Sequence, residues 1–203
     1  MLVPPIRSLV SPLFTLRYVI AAAALLLTVA GPAHIQAHEA GVRARDTEPL
    51  VFTVDVAEDL NGKFVPTFVK PGDTQPERGS FFVTEGRIFP EGTIQGNGAD
   101  FDPYSRGHIG VWICRGTHLV SASEIPAAPL WVDTAQLYVV GRQGKEQIAT
   151  EGVEGAGTVT RIVTGGTGNL VGFIGEQRQT FLGFNPTGGV NLRVTFILRK
   201  VVD

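Results

Sequence analysis

The sequence predicts an all-β fold, an eight-stranded antiparallel barrel, and the C-terminal part of the chain carries the main evidence. Residues 161–198 contain three apolar, β-rich runs separated by glycine clusters at positions 165–168 and 186–189. The last run alternates between an apolar face and a polar face: Leu192, Val194, Phe196 and Leu198, against Asn191, Arg193, Thr195 and Arg199. A two-residue repeat is typical of a strand with one buried side. Because such strands need a sheet to close over their apolar face, we interpret this segment as the closing strands of a barrel.

The preceding chain supplies the other strands. Apolar or alternating runs lie at residues 50–56, 80–89, 108–121, 130–140 and 147–153, with a short extended piece at 64–70 and a long loop at 90–107. In the run 108–121, Trp112, Cys114 and His118 share one face, and both faces carry apolar groups. The whole pattern gives about eight short strands at regular spacing and no convincing amphipathic helix, which favours a barrel or sandwich over an α/β fold.

The N-terminal residues predict export. Arg7 and Arg17 precede an uncharged run at residues 18–31, and small residues follow, with candidate cleavage after Ala33 or after Ala37. This order is typical of a signal peptide, and the run is short for a membrane span, although an uncleaved anchor is the alternative. We therefore predict a signal peptide at 1–37, a flexible lead at 38–49 and a barrel domain at 50–203. The mature protein is expected in the periplasm or outside the cell, without membrane contact.

Composition narrows the possible partners. A formal net charge of -2 and a pI near 6.1 give no basic surface for nucleic acid, which we exclude as a partner. Cys114 is the only cysteine, so an internal disulfide is impossible. The spacing of Gly166, Gly168 and Gly172 does not fit a dinucleotide loop, because the following residues predict a strand rather than a helix.

One histidine raises a metal hypothesis. Cleavage after Ala37 would make His38 the first residue of the mature chain, and an α-amine with an adjacent imidazole suits copper. The second histidine would have to be His108 or His118, and a cut after Ala33 would remove the arrangement. Our prediction is that the protein has no metal and no cofactor.

The ordered series of segments resembles a known superfamily. The run RIVTGGTGNLVGFIGEQRQ, followed by LGFN and NLRVTFIL, resembles the C-terminal signature of the allene oxide cyclase and dirigent-like (calycin-like) barrels. RGSFFVTEGRIFPEGTI, GHIGVWICRGTHLVS and IATEGVEG resemble segments of exported bacterial relatives. The resemblance covers roughly residues 50–201. It implies an eight-stranded antiparallel barrel, often trimeric, whose lumen takes a small apolar molecule, and a barrel of that size is wide enough for one.

The resemblance carries over few of the family's polar residues. Plant cyclases use a glutamate and an asparagine near the first strand with a cavity cysteine; here only Asp55 occupies that region, and Cys114 has a similar context. Dirigent proteins carry an arginine before a glycine after the GGTG turn, whereas this chain has Phe173 and Ile174 between Gly172 and Gly175. Dirigent chemistry in the strict sense is therefore disfavoured.

Six residues are the candidate site. Asp55 and Cys114 are the candidate catalytic residues, and Trp112, Arg115, Tyr138 and Phe196 are the candidate ligand-binding residues. A carboxylate in an apolar strand is costly unless it is paired or faces a wet cavity, so Asp55 lies either in the lumen or on the outer face beside Thr53. A lone cysteine is a reactive group or a small buried hydrophobe. Arg115, if buried, would need Glu85, Asp133 or Glu151 as its partner, and the three aromatic residues suit either a pocket wall or ordinary core packing.

Three functions remain open. The first is an isomerase, cyclase or stereo-directing protein that holds a small apolar substrate in one conformation while Asp55 or a nearby polar group biases proton transfer. The second is a non-catalytic carrier of a hydrophobic ligand. The third is a structural homotrimer whose interior is filled by side chains.

Overall fold

The computed structural model describes residues 48–61, 64–69, 75–141 and 144–201. The predicted signal peptide, its two cleavage sites, His38 and most of the flexible lead lie outside the described residues. Nine strands and one short 3-10 helix follow in this order: β1 (Leu50–Glu58), β2 (Val65–Thr67), β3 (Phe81–Pro90), β4 (Gly110–His118), β5 (Leu130–Val140), β6 (Glu146–Gly155), β7 (Thr158–Gly166), the 3-10 turn (Gly168–Leu170), β8 (Phe173–Phe184) and β9 (Val190–Lys200).

The strands close into an eight-stranded antiparallel barrel, as the sequence predicted. Each strand from β3 to β9 pairs with the next, and β1 completes the ring because it pairs with β9 on one side and with β3 on the other. The short β2 pairs only with the first residues of β3, because β3 begins beyond the end of β1. Closure leaves the eight strands without an open edge. Within the described ranges, no helix is both long and apolar enough to cross a membrane.

Alternation along the strands produces the core. Val54 and Val56 of β1 and Trp112 and Cys114 of β4 are buried in one cluster with the alternate residues of β9: Leu192, Val194, Phe196 and Leu198. The intervening side chains point outward, which is the pattern expected of a sheet whose one face lines a lumen. The predicted faces of β4 and β9 are therefore those that the structure has.

Two ends of the barrel can be distinguished. We call the end at which β1 finishes the upper end; β4, β6 and β8 also finish there, and β3, β5, β7 and β9 begin there. Glu58, His118 and Glu154, which are all buried, stand on the last residues of their strands at this end or one residue before. The predicted turn after β7 lies at the lower end, where Gly168 has a φ of +61° and an added Cβ would come within 2.9 Å of the Lys145 carbonyl oxygen.

The loop between β3 and β4 packs on the outside of the barrel. Ile94 and Phe89 are buried against each other and Ala57, and the ring of Phe101 meets that of Phe89 edge-on with centroids 5.0 Å apart. The Asn191 side chain on β9 donates to the Gly98 carbonyl oxygen at 2.9 Å. These contacts hold the loop against the outer face of β1 and β9, so it forms a second, smaller core outside the lumen.

Candidate functional site in the barrel lumen

Three of the four predicted ligand-binding residues form the aromatic centre of the lumen. Trp112 stands opposite Tyr138 in the β4–β5 ladder, and each is 1% exposed. The rings of Tyr138 and Phe196 meet edge-on with centroids 4.9 Å apart, and Phe52 stacks on Phe196 at 5.0 Å. Such aromatic pairs stabilise a core beyond the area that they bury. This part of the lumen is therefore a packed wall in which Trp112, Tyr138 and Phe196 lie together.

A polar network centred on Glu154 lies above the aromatic wall. The Thr134 hydroxyl donates to Glu154 Oε1 at 2.5 Å, and Gln136 Nε2 donates to the same oxygen at 2.8 Å. Gln179 Nε2 donates to Oε2 at 2.6 Å. Hydrogen bonds to a charged acceptor are the strong ones, so these donors hold the Glu154 carboxylate in one orientation inside the barrel.

The network continues downward to the aromatic wall. The Tyr138 hydroxyl donates to Gln136 Oε1 at 2.6 Å and accepts from Gln177 Nε2 at 2.9 Å. Complete burial raises the pKa of Tyr138 well above its usual value of 10.0, so its phenol is neutral. The hydroxyl therefore acts as a fixed hydrogen-bonding group that joins the polar and aromatic parts of the lumen.

Arg161 supplies the positive charge in this network. Its side chain is 1% exposed; Nη1 donates to the Gly152 carbonyl oxygen at 2.7 Å and Nη2 to the Thr134 carbonyl oxygen at 2.9 Å. Nη1 also lies 3.7 Å from Glu154 Oε1. A buried guanidinium is tolerated only when it is paired and hydrogen-bonded, and here one carboxylate and the carbonyl groups of Gly152, Val153 and Thr134 meet that need.

Glu58 provides a second lumen carboxyl group at the upper end. It follows Val54 and Val56 on the inward face of β1, it is 8% exposed, and its Oε2 accepts the Val190 backbone N–H at 2.8 Å. Burial raises the pKa of Glu58 from its usual value of 4.5 to about 6, and the charges of Glu154 and Asp59 act in the same direction. A carboxyl group with this pKa can take up and release a proton near neutral pH.

His118 is the third titratable group at the upper end. Its ring lies 5.3 Å from that of Phe82, and burial lowers its pKa below the usual value of 6.5. Neither ring nitrogen has a hydrogen-bonding partner among the described residues. The imidazole is therefore neutral at pH 7, with one donor and one acceptor unused.

Further buried polar atoms of the lumen lack partners at hydrogen-bonding geometry. They are Thr84 Oγ1, Trp112 Nε1, Thr150 Oγ1, Arg161 Nε and Gln177 Oε1. Thr84 lies near the Glu58 carboxyl group, and Trp112 lies near the Tyr138 hydroxyl, without completing a hydrogen bond. Most buried polar side-chain atoms in folded proteins have partners, so this concentration in one lumen requires an explanation.

Asp55, the first predicted catalytic residue, lies on the outer face of β1. Its Oδ1 accepts from Arg193 Nε at 2.8 Å, and its Oδ2 accepts from Arg193 Nη2 at 3.1 Å and from the Ile94 backbone N–H at 2.9 Å. The carboxylate is 0% exposed beneath the loop that joins β3 to β4. The sequence left open whether Asp55 lies in the lumen or on the outer face, and in the structure it lies on the outer face. There the carboxylate holds the loop between β3 and β4 against the barrel.

Cys114, the second predicted catalytic residue, does face the lumen. Its Sγ donates weakly to Glu154 Oε1 at 3.7 Å. Burial, together with the negative charges of Glu154 and Glu58, raises the pKa of the thiol well above its usual value of 9.0. Since the thiolate is the nucleophilic form, a thiol in this environment contributes shape and a weak hydrogen bond rather than a nucleophile at neutral pH.

Arg115, the fourth predicted ligand-binding residue, points away from the lumen. It lies exposed on β4 and lines an outer surface groove of about 490 Å³ together with Val65, Phe81, Val83, Asp133 and Glu151. The structure therefore separates Arg115 from the three aromatic residues. Within the described ranges, no group of three or more His, Cys, Asp or Glu side chains could hold a metal ion.

Sequence reasoning missed Glu58, Glu154 and Arg161. The first two follow the alternation of their strands, since Val54 and Val56 lead to Glu58, and Ile148 and Thr150 lead to Glu154. That period could have placed both carboxylates in the lumen. Arg161 alternates in the same way with the buried Val163 on β7, but a charged residue at a strand position is usually solvated.

Comparison with known proteins supports the fold. No family model and no curated protein matches the sequence. The pterocarpan synthase dirigent protein PsPTS1 is 11% identical with a TM-score of 0.57 over 77% of this chain and 97% of that chain. A second one, GePTS1, is 11% identical with a TM-score of 0.54 over 84% of this chain and 100% of that chain. Pyocyanin demethylase scores lower, with a TM-score of 0.48 at 16% identity, covering 74% of this chain and 100% of that chain. The chain therefore has a barrel fold of the dirigent-like type, as the sequence resemblance implied.

Proposed function

We propose that this protein binds a small, mainly apolar molecule at the upper end of its lumen and acts on it as an isomerase, a cyclase or a stereo-directing protein. The observation that carries the proposal is the set of unpartnered polar atoms in the lumen, above a wall of Trp112, Tyr138 and Phe196. A site with apolar walls and a few convergent polar groups is the usual composition of a small-molecule site.

Accessibility supports binding at the upper end. Glu58, Glu154 and His118 keep 8%, 8% and 9% of their surface exposed, whereas Trp112, Tyr138 and Phe196 keep 1% each. The polar residues near the upper end thus keep more exposed surface than the aromatic wall below them. A bound molecule would rest its apolar frame on that wall and place a polar group beside the two carboxyl groups.

The chemistry that this arrangement supports is proton transfer within a held substrate. Near neutral pH Glu58 is largely a carboxylate, so it can accept a proton from one atom of the bound molecule and return it to another. Such a step changes no oxidation state and leaves the mass unchanged. The fixed carboxylate of Glu154 would stabilise positive charge that develops in the substrate, and the rigid wall would select one conformer.

Location and assembly are part of the same proposal. The signal-like N-terminus supports a periplasmic or secreted protein, and the resemblance to cyclase and dirigent-like barrels supports a homotrimer. In that compartment the substrate would be a molecule that is made or released outside the cytoplasm.

The test begins with the natural ligand. The protein is purified from its own exported fraction, and native mass spectrometry reports its oligomeric mass and any retained small molecule. The released molecule is then incubated with fresh protein, without added cofactor, and the products are separated by chiral chromatography. We expect conversion to an isomer of equal mass. In Glu58→Gln the rate should fall by at least about 100-fold, because acid–base groups contribute about 10²–10⁴-fold.

Glu176→Gln is the matched control, because Glu176 is an exposed carboxylate on the outer face of β8. It should keep the wild-type rate. If the protein retains a molecule that neither the wild type nor the variants convert, the protein is a carrier rather than an enzyme. A trimer that carries no molecule and binds none on addition would leave only the structural alternative.

A further inference from the structure

The inner surface around His118 has both an aromatic and an acidic side. His118 ends β4 and faces inward beside Phe82, whose ring is in turn 5.7 Å from that of Phe64. In the adjoining ladders, His118 pairs with Val132 and Val132 pairs with Glu154. The imidazole therefore lies between a pair of phenyl rings on one side and the Glu154 network, two strands away, on the other.

His118 is the least satisfied polar side chain of the upper end. The two buried carboxyl groups there are hydrogen-bonded, because Glu154 accepts several hydrogen bonds and Glu58 accepts the Val190 N–H, whereas the single hydroxyl of Thr84 makes none. His118 makes none through either ring nitrogen, although it is only 9% exposed. A buried polar group without a partner is costly, so a group that contributes little to folding here is expected to serve binding.

We infer that His118 selects the molecule bound in the lumen, and that this molecule is a planar apolar compound with an uncharged hydroxyl group. A neutral imidazole offers one donor and one acceptor, and a hydroxyl group can use either of them, whereas a carbonyl or ether oxygen can use only the N–H. The planar frame packs against Phe82. This inference rests on the proposed function, because it names the substrate class of the same site.

The charges near the site exclude acidic ligands. The carboxyl groups that face this end of the lumen are Glu58 and Glu154, and the Cys114 thiol between them is protonated. Among the described residues the buried cation of the lumen is Arg161, which is already engaged by Glu154 and by three backbone carbonyl groups. A ligand carboxylate or phosphate would thus meet negative charge without a free cation to compensate it, while a neutral hydroxyl would not.

The experiment compares two probes that differ by one hydroxyl group, 1-naphthol and naphthalene, in equilibrium dialysis at pH 7. The proteins are the wild type, His118→Phe, His118→Gln and the control His108→Gln, because His108 is exposed in a loop. Phenylalanine keeps a ring against Phe82 and removes the hydrogen bond, and glutamine keeps a donor and an acceptor. Circular dichroism confirms that each variant is folded.

We expect His118→Phe to weaken 1-naphthol binding by about three- to tenfold and to leave naphthalene binding unchanged or tighter, as loss of one hydrogen bond predicts. His118→Gln should retain most of the 1-naphthol affinity, and His108→Gln all of it. Binding of 1-naphthol also should shift the ¹⁵N signals of the His118 ring.

Two outcomes would overturn the inference, and they are distinguishable. Equal affinity of the wild type and His118→Phe for 1-naphthol, with binding intact, would remove His118 as the selecting group and leave lumen binding in place. Failure of both probes to bind the wild type at all would count against a lumen site, and therefore against the proposed function as well.

Discussion

Replacing Glu58 by glutamine tests whether the lumen acid costs folding stability. The pKa of Glu58 rises from 4.5 to about 6 on folding, and each pKa unit corresponds to about 1.36 kcal/mol. The folded state therefore prefers the protonated acid by about 2 kcal/mol relative to the unfolded chain. Below pH 4.5 the group is protonated in both states and the penalty is absent. As pH rises from 4.5 to 6 the unfolded chain releases its proton first, stability falls, and above pH 6 the full penalty is present.

The measurement is urea unfolding of the wild type and Glu58→Gln at pH 4.0 and pH 7.5. The free energy of unfolding of Glu58→Gln minus that of the wild type should be about 2 kcal/mol larger at pH 7.5 than at pH 4.0, because glutamine is neutral at both pH values. Comparing the pH values cancels any change in the hydrogen bond to Val190, which affects both measurements. Loss of repulsion with Glu154 acts in the same direction. Glu176→Gln is the exposed control and should differ from the wild type by less than about 0.5 kcal/mol. A stability difference that is the same at both pH values would refute the burial argument.

Three further predictions concern other residues of the barrel. Arg161→Met should lower the free energy of unfolding by about 3–5 kcal/mol, because it leaves the Glu154 carboxylate without its buried cation. The control Arg178→Met, on the exposed face of the same sheet, should have little effect. Equal losses of stability in the two variants would contradict this prediction. Asp55→Asn should lower the free energy of unfolding by about 1–3 kcal/mol, because the ion pair with Arg193 is lost, and it should leave the affinity for 1-naphthol unchanged. A change in that affinity would show that Asp55 influences the lumen. Cys114 in the folded protein should react with an aromatic disulfide reagent at pH 8 about 100-fold or more slowly than in urea, and rapid labelling of the folded protein would show an accessible thiolate.

The fold could be predicted from the sequence because its main determinant is local. Alternation in residues 190–200 specifies a strand and its buried face, and the apolar runs around Val54 and Trp112 specify strands, without knowledge of the partners. Strand number and closure followed from the regular spacing of those runs and the resemblance to known barrels. Trp112, Tyr138 and Phe196 could be singled out because large aromatic side chains in apolar strands suit either a pocket wall or core packing.

The polar part of the site required information that the sequence does not contain. Asp55 and Glu58 lie three residues apart on β1, yet Asp55 pairs with Arg193 on the outside and Glu58 faces the lumen. Residues that lie an odd number of positions apart on a strand point to opposite faces of the sheet. Which of the two faces of β1 is inside depends on its register with β3 and β9. Burial of Asp55 additionally depends on the loop 90–107, whose path over β1 no local pattern predicts.

Placement of β1 between β3 and β9 has a consequence for how the chain folds during its synthesis. Val54 pairs with Val194 on one side and with Pro90 on the other, so the ring closes only when the last strand arrives. Until then β1 and β8 are open edges that can pair with other chains. A ribosome-bound chain thus holds an unfinished, aggregation-prone sheet. We expect that a chaperone which binds exposed strands would be needed most just before residues 190–200 become available.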